Sequence, residues 1–64
     1  MIGDRALVVS VKGNEVEVAY HGEIWQAVSA QPLNPGQQVV INNVKGLILE
    51  VAPLPAPADD DLPG

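Results

Sequence analysis

Sixty-four residues with no Cys, and eight acids against three bases for a net charge of −5, describe one small domain that no disulfide staples. A chain this short buries only about 60% of the surface its unfolded form exposes, so its stability is marginal. One His and no thiol all but exclude a four-ligand structural zinc site, and Arg5, Lys12 and Lys45 are too few bases to favour a phosphate backbone as partner.

Three of the acids, Asp59, Asp60 and Asp61, fall in a Pro-rich end segment; without them the body carries −2, from five acids and three bases. The core must be aliphatic, because ten Val, six Leu and four Ile stand beside no Phe. That β-branched excess favours strands. No apolar run approaches the ~18 residues of a membrane span. Met1 leads into a strand pattern rather than a basic and then apolar leader, so no signal peptide is expected. The composition suits a soluble protein, or a soluble piece of a longer membrane protein.

Gly3-Asp4 starts the chain as a turn, and Arg5 to Val11 reads as the first strand, apolar on both faces as a strand central to a small barrel would be. Lys12-Gly13-Asn14 is a short hairpin connection. Glu15 to Tyr20 then alternates cleanly, with Val16, Val18 and Tyr20 on one face. After the tight turn at His21-Gly22-Glu23 comes the third strand, Glu23 to Ser29, which puts Glu23, Trp25 and Ala27 on one side and Ile24, Gln26 and Val28 on the other. A large aromatic two residues from a small Ala suits a tapering barrel interior, which favours Trp25 facing inward.

Pro32 and Pro35 forbid a helix through the connection Ala30 to Gly36, where Leu33 is expected to plug the barrel from below. Gln38 to Val44 is the fourth strand, Lys45-Gly46 a turn, and Leu47 to Ala52 the fifth, with Leu47, Leu49 and Val51 in phase. Beyond Pro53, residues 54–64 are rich in Pro and Asp and hold little that can pack, which predicts a disordered or polyproline-like tail. Five strands with one long link between the third and fourth fit a small, helix-free OB-type barrel. A five-stranded SH3-like barrel competes with it, and the strand pattern does not separate the two.

No catalytic constellation emerges. Ser10 and Ser29 lack the sharp elbow that exposes a nucleophile, and His21 sits at a turn. Glu15 and Glu17 read as one solvated strand face rather than an acid/base pair. Gly13, Gly22, Gly36 and Gly46 are single turn residues, not a phosphate-cradling loop. The Asp triplet lacks the spaced ligands of a calcium loop. Tyr20, His21 and Trp25 have the makings of a base-stacking platform, but one without a positive groove. No enzymatic activity, cofactor or metal is expected.

The run Gly13-Asn14-Glu15-Val16-Glu17-Val18-Ala19-Tyr20-His21-Gly22-Glu23-Ile24-Trp25-Gln26-Ala27 resembles the C-terminal soluble domain of NfeD-like proteins. The resemblance continues through Pro35-Gly36-Gln37-Gln38-Val39 and the closing Gly46-Leu47-Ile48-Leu49-Glu50-Val51-Ala52-Pro53, and Gly3 fits the family's opening Gly. It departs from the family at Arg5-Ala6, where a second Gly is common. It runs from Gly3 to Pro53, which sets the domain at 1–53. Gly22, Trp25, Ala27, Gly36 and Gly46 are then family-motif residues with structural roles.

The resemblance implies a five-stranded OB-fold domain without enzymatic activity. It also implies a place in a longer membrane protein, with the domain cytoplasmic, and a stomatin/flotillin-type (SPFH) membrane protein as partner. The role implied is regulation of membrane protease activity or membrane organisation. Longer members carry a serine-protease domain upstream that nothing here matches. Ile24, Trp25 and Val28 are the candidate interaction surface. The alternative, a single-stranded nucleic-acid-binding OB domain, has the fold in its favour and the charge against it.

Overall fold

A computed structural model describes residues 1–54, so the acidic tail expected over 54–64 lies, apart from Leu54, outside the described residues. The strands are β1 (Arg5–Lys12), β2 (Glu15–Tyr20), β3 (Glu23–Val28), β4 (Gln38–Lys45) and β5 (Ile48–Pro53), with no helix among the described residues. They close in the order β1-β2-β3-β5-β4, with β4 returning to β1. Every contact is antiparallel except β3 with β5, which run parallel. That parallel contact and the β1–β4 closure give the OB order and set the SH3-like alternative aside.

Closure needs the strands to bend, and two bulges supply the bend. The β1–β2 register slips between Val8 and Ser10, and the β4–β5 register slips between Ile41 and Asn43. The core between the strands is small and aliphatic: Val8, Val18, Val39, Ile41 and Leu49 are its most enclosed large side chains. Trp25 lies on the Ala27 side of β3, opposite the fully enclosed Val18, and packs on this core while staying half-exposed. The inward orientation read from the Trp25–Ala27 pair therefore holds.

Leu33 is buried and joins the core, closing the barrel floor as expected. The link that carries it is shaped by Asn34-Pro35-Gly36-Gln37, a turn in which the Gln37 N–H donates to the Asn34 carbonyl at 3.1 Å. Gly36 has φ 89°, the third-position conformation of a type II turn after Pro. From there the Gly36 N–H donates to the Val8 carbonyl and the Val8 N–H to the Gln37 carbonyl, so the link feeds β4 straight onto β1.

Strand ends differ from the sequence reading by one residue in five places. β1 and β4 each run further, to Lys12 and Lys45, β3 stops at Val28 rather than Ser29, and β5 starts at Ile48 rather than Leu47 and ends at Pro53 rather than Ala52. Lys45 pairs with Ile48, leaving Gly46-Leu47 as a two-residue hairpin loop. Leu47 is thus out of the strand and 78% exposed, not in phase with the buried Leu49 and Val51. β1 is also not apolar on both faces because both are covered: Leu7 and Val9 face outward and are each 41% exposed.

Between β2 and β3, Tyr20 pairs with Glu23 around the loop His21-Gly22, whose φ values are 52° and 82°. Two positive φ angles are the signature of a type I′ turn, which matches strand twist and tolerates few side chains. A Cβ on Gly22 would meet nothing within 4 Å, so only backbone strain opposes one there. Gly22→Ala is expected to cost about 1–2 kcal/mol, read as a lower urea midpoint with unchanged slope.

Candidate functional site

Ile24, Gln26 and Val28 point outward from β3, but they do not share one site. Ile24 is 60% exposed, and with Glu23, Trp25, Gln26 and Leu47 it lines an open cleft of about 360 Å³. Val28 lines a separate cleft of about 450 Å³, where the polar Asn14, Gln31, Asn42 and Glu50 alternate with the apolar Ala30, Val51 and Ala52. Of the three candidate residues, the structure brings Ile24 and Trp25 together and places Val28 further along the strand. Gly22, Gly36 and Gly46 all sit at turns with positive φ, and Ala27 is buried beneath Trp25's strand.

The cleft forms because β5 is late. β3 and β5 pair only from Gln26 opposite Ile48 onward, so the first half of β3 faces the Gly46-Leu47 turn instead of a strand. That turn holds Leu47 beside Ile24 and Trp25. On the other side Ile24 pairs with Ala19, and Ala19 pairs in turn with Leu7. Single exposed apolar side chains are ordinary on any protein; a row of them across neighbouring strands is not. Leu7, Ala19, Ile24 and Leu47 make such a row over three strands and a turn.

Leu47 is the residue that sequence reasoning missed. Its strand-like phase with Leu49 and Val51 pointed inward. The signal that reveals it is Gly46 as the first of two loop residues, the pattern of a type II′ hairpin, which forces the next residue out of the strand. Ile48 adjoins it, 39% exposed.

The rim of the cleft is acidic. Glu23 lines it directly, and Glu17 stands next to Gln26 across β2–β3, with the Gln26 Nε2 donating to its carboxylate at 3.4 Å. On the β5 side Lys45 is held by Glu50 at 3.0 Å. The outer β2–β3 face by which OB barrels commonly bind oligonucleotides therefore presents Glu15 and Glu17, with Glu23 at its end on the Trp25 side, and these carboxylates repel phosphate. His21 and Ser29 lie at opposite ends of β3, separated by about 20 Å of strand. The Ser29 hydroxyl is occupied, donating to the Gln31 carbonyl and accepting from the Gln31 N–H. Among the described residues, no three His, Asp or Glu side chains come together as a metal site.

A second polar cluster ties the chain's start to the barrel. The Tyr20 hydroxyl donates to Asp4, whose carboxylate also lies 3.5 Å from the Met1 ammonium, and Tyr20 stacks on His21 with ring centres 4.2 Å apart. The Tyr20 hydrogen bond, helped by the Met1 ammonium, holds Asp4 below its ordinary value, and the same bond raises Tyr20 above its own. A lowered carboxyl stabilises the fold above its ordinary value of 3.8 and loses that effect as pH falls through the folded value. A raised phenol stabilises below its ordinary 10.0 and loses the effect as pH rises through the folded value. Tyr20→Phe is therefore expected to lower the melting temperature between those limits and to match the parent at strongly acid pH; a difference that persists there would contradict it.

The family model described as the NfeD-like C-terminal, partner-binding domain matches residues 1–53. Two solved structures share the fold. The C-terminal domain of stomatin operon partner protein 1510-C from Pyrococcus horikoshii is 30% identical with a TM-score of 0.79, over 86% of this chain and 89% of that one. The soluble domain of a membrane protein implicated in regulation of membrane protease activity, from Corynebacterium glutamicum, is 28% identical with a TM-score of 0.72, over 81% and 89%. No curated protein matches the sequence.

Proposed function

We propose a non-catalytic, partner-binding role for this chain, which belongs to the NfeD-like family as its C-terminal, partner-binding domain. The partner is a stomatin/flotillin-type (SPFH) membrane protein, and the domain meets it on the cytoplasmic side as part of a longer membrane protein. The effect of binding is on membrane protease activity or membrane organisation. Two likenesses support this: one neighbour is named as a stomatin operon partner, the other as implicated in regulating membrane protease activity. No helix among the described residues is long and apolar enough to cross a membrane.

The observation that carries the reading is the exposed apolar row centred on Ile24 and Leu47, next to the half-buried Trp25, on a domain of a partner-binding family. Apolar centres of this kind, with an aromatic at the middle, are where binding energy concentrates. Ile24 and Trp25 form the contact centre, and Val28, on the separate cleft further along the strand, stands outside it. Trp25 is the single Trp, so its emission reports on the surface directly. Titration with the water-soluble region of an SPFH protein from the same organism should shift that emission saturably. Absence of any binding by emission or calorimetry would remove the SPFH partner.

A further inference from the structure

We propose that the segment seated at the Ile24–Leu47 cleft is an extended, basic–apolar one: an apolar side chain in the cleft, with Lys or Arg flanking it. The inference rests on the partner-binding reading above and deepens it. Among the described residues the ion pairs are the Met1 ammonium with Asp4 and Lys45 with Glu50. Glu23, which lines the cleft, and Glu17, beside Gln26, thus stand at the surface without a cation. Lys12 shares a groove with Glu15 and Glu17 but pairs with neither, and Lys45, opposite Ile48, already has its partner in Glu50.

A partner that covers this rim without bringing positive charge leaves two carboxylates partly desolvated and uncompensated. A second copy of the chain would bring the same acidic rim against itself, and an acidic segment would be repelled outright. A cationic segment gains both steering and pairing.

The backbone argues for an extended occupant. In a hairpin whose two-residue loop is flanked by the bonded pair Tyr20 and Glu23, Ile24 turns its N–H and C=O away from β2. On that side β5 begins only opposite Gln26, so these groups face the cleft and can bond an added strand.

The test is a titration of the isotope-labelled full chain with two short blocked peptides, Lys-Leu-Lys-Leu-Lys and Glu-Leu-Glu-Leu-Glu, followed by amide shifts at low and high salt. The basic peptide should shift Ile24, Gln26 and Leu47, bind about tenfold or more tighter than the acidic one, and weaken with salt. Glu23→Lys, at an exposed position, should erase most of that preference while the melting temperature holds. Equal or better binding of the acidic peptide at the same residues would overturn the basic class yet leave the surface in place. Shifts centred elsewhere, or none with either peptide, would overturn the inference, whereas the SPFH titration decides the partner-binding reading by itself.

Discussion

Ile41→Ala is expected to cost about 3–4 kcal/mol, about half or more of what so small a domain holds. Ile41 is fully enclosed at the centre of β4, opposite Val51, just before the bulge that bends the strand. Its carbonyl accepts the Gly3 N–H at 2.7 Å and its own N–H donates to the Asp4 carbonyl at 2.8 Å, so the first residues are laid across it. Truncation opens a cavity in a core where half of the buried side chains are Val and two are Ala, too short and stiff to swing in and fill it. A domain of this size holds only about 3–8 kcal/mol in total. Urea unfolding followed by Trp25 emission reads the loss, and Val40→Ala, at a half-buried neighbour, serves as the mild control. A loss for Ile41→Ala below about 1 kcal/mol would contradict the packing described.

The double variant Ile24→Thr with Leu47→Asn is expected to weaken SPFH binding about 100-fold or more while stability moves by less than about 1 kcal/mol. Both side chains are more than half exposed, so little core contact is lost. Thr keeps the strand preference at 24, and Asn is at home in the loop at 47. What disappears is the apolar centre alone. Binding that survives in a folded double variant would move the contact to another face.

Much of the barrel was legible because its signals are local. The clean alternation of Val16, Val18 and Tyr20 against Glu15, Glu17 and Ala19 marks β2 and its inner face, and the Trp25–Ala27 pair does the same for β3. Pro35-Gly36 reads as a turn on chemistry alone. What local pattern does not carry is strand order. That β3 meets β5 in parallel, and that β4 returns to β1, depends on packing across the whole chain. Bulges are equally hidden: nothing in Val8-Val9-Ser10 announces a slipped register.

The site was half legible for the same reason. Ile24 opposite an inward Trp25 follows from strand phase. Leu47 does not, because a one-residue shift in the start of β5 turns it from core to surface, and hairpin loops tolerate such shifts in a pattern. The row Leu7-Ala19-Ile24 exists only once the cross-strand register is known. Outward apolar residues in β1 read as burial on both faces until the register shows nothing covering them.

The most direct test of the account is photo-crosslinking from two positions of the folded chain in the presence of an SPFH protein. A photoreactive side chain at Leu47, in the apolar row, should form the adduct; one at the exposed Asn42, on the other cleft, should not. Adducts from position 42 with none from 47 would contradict the proposal that the Ile24–Leu47 surface is where this domain meets its partner.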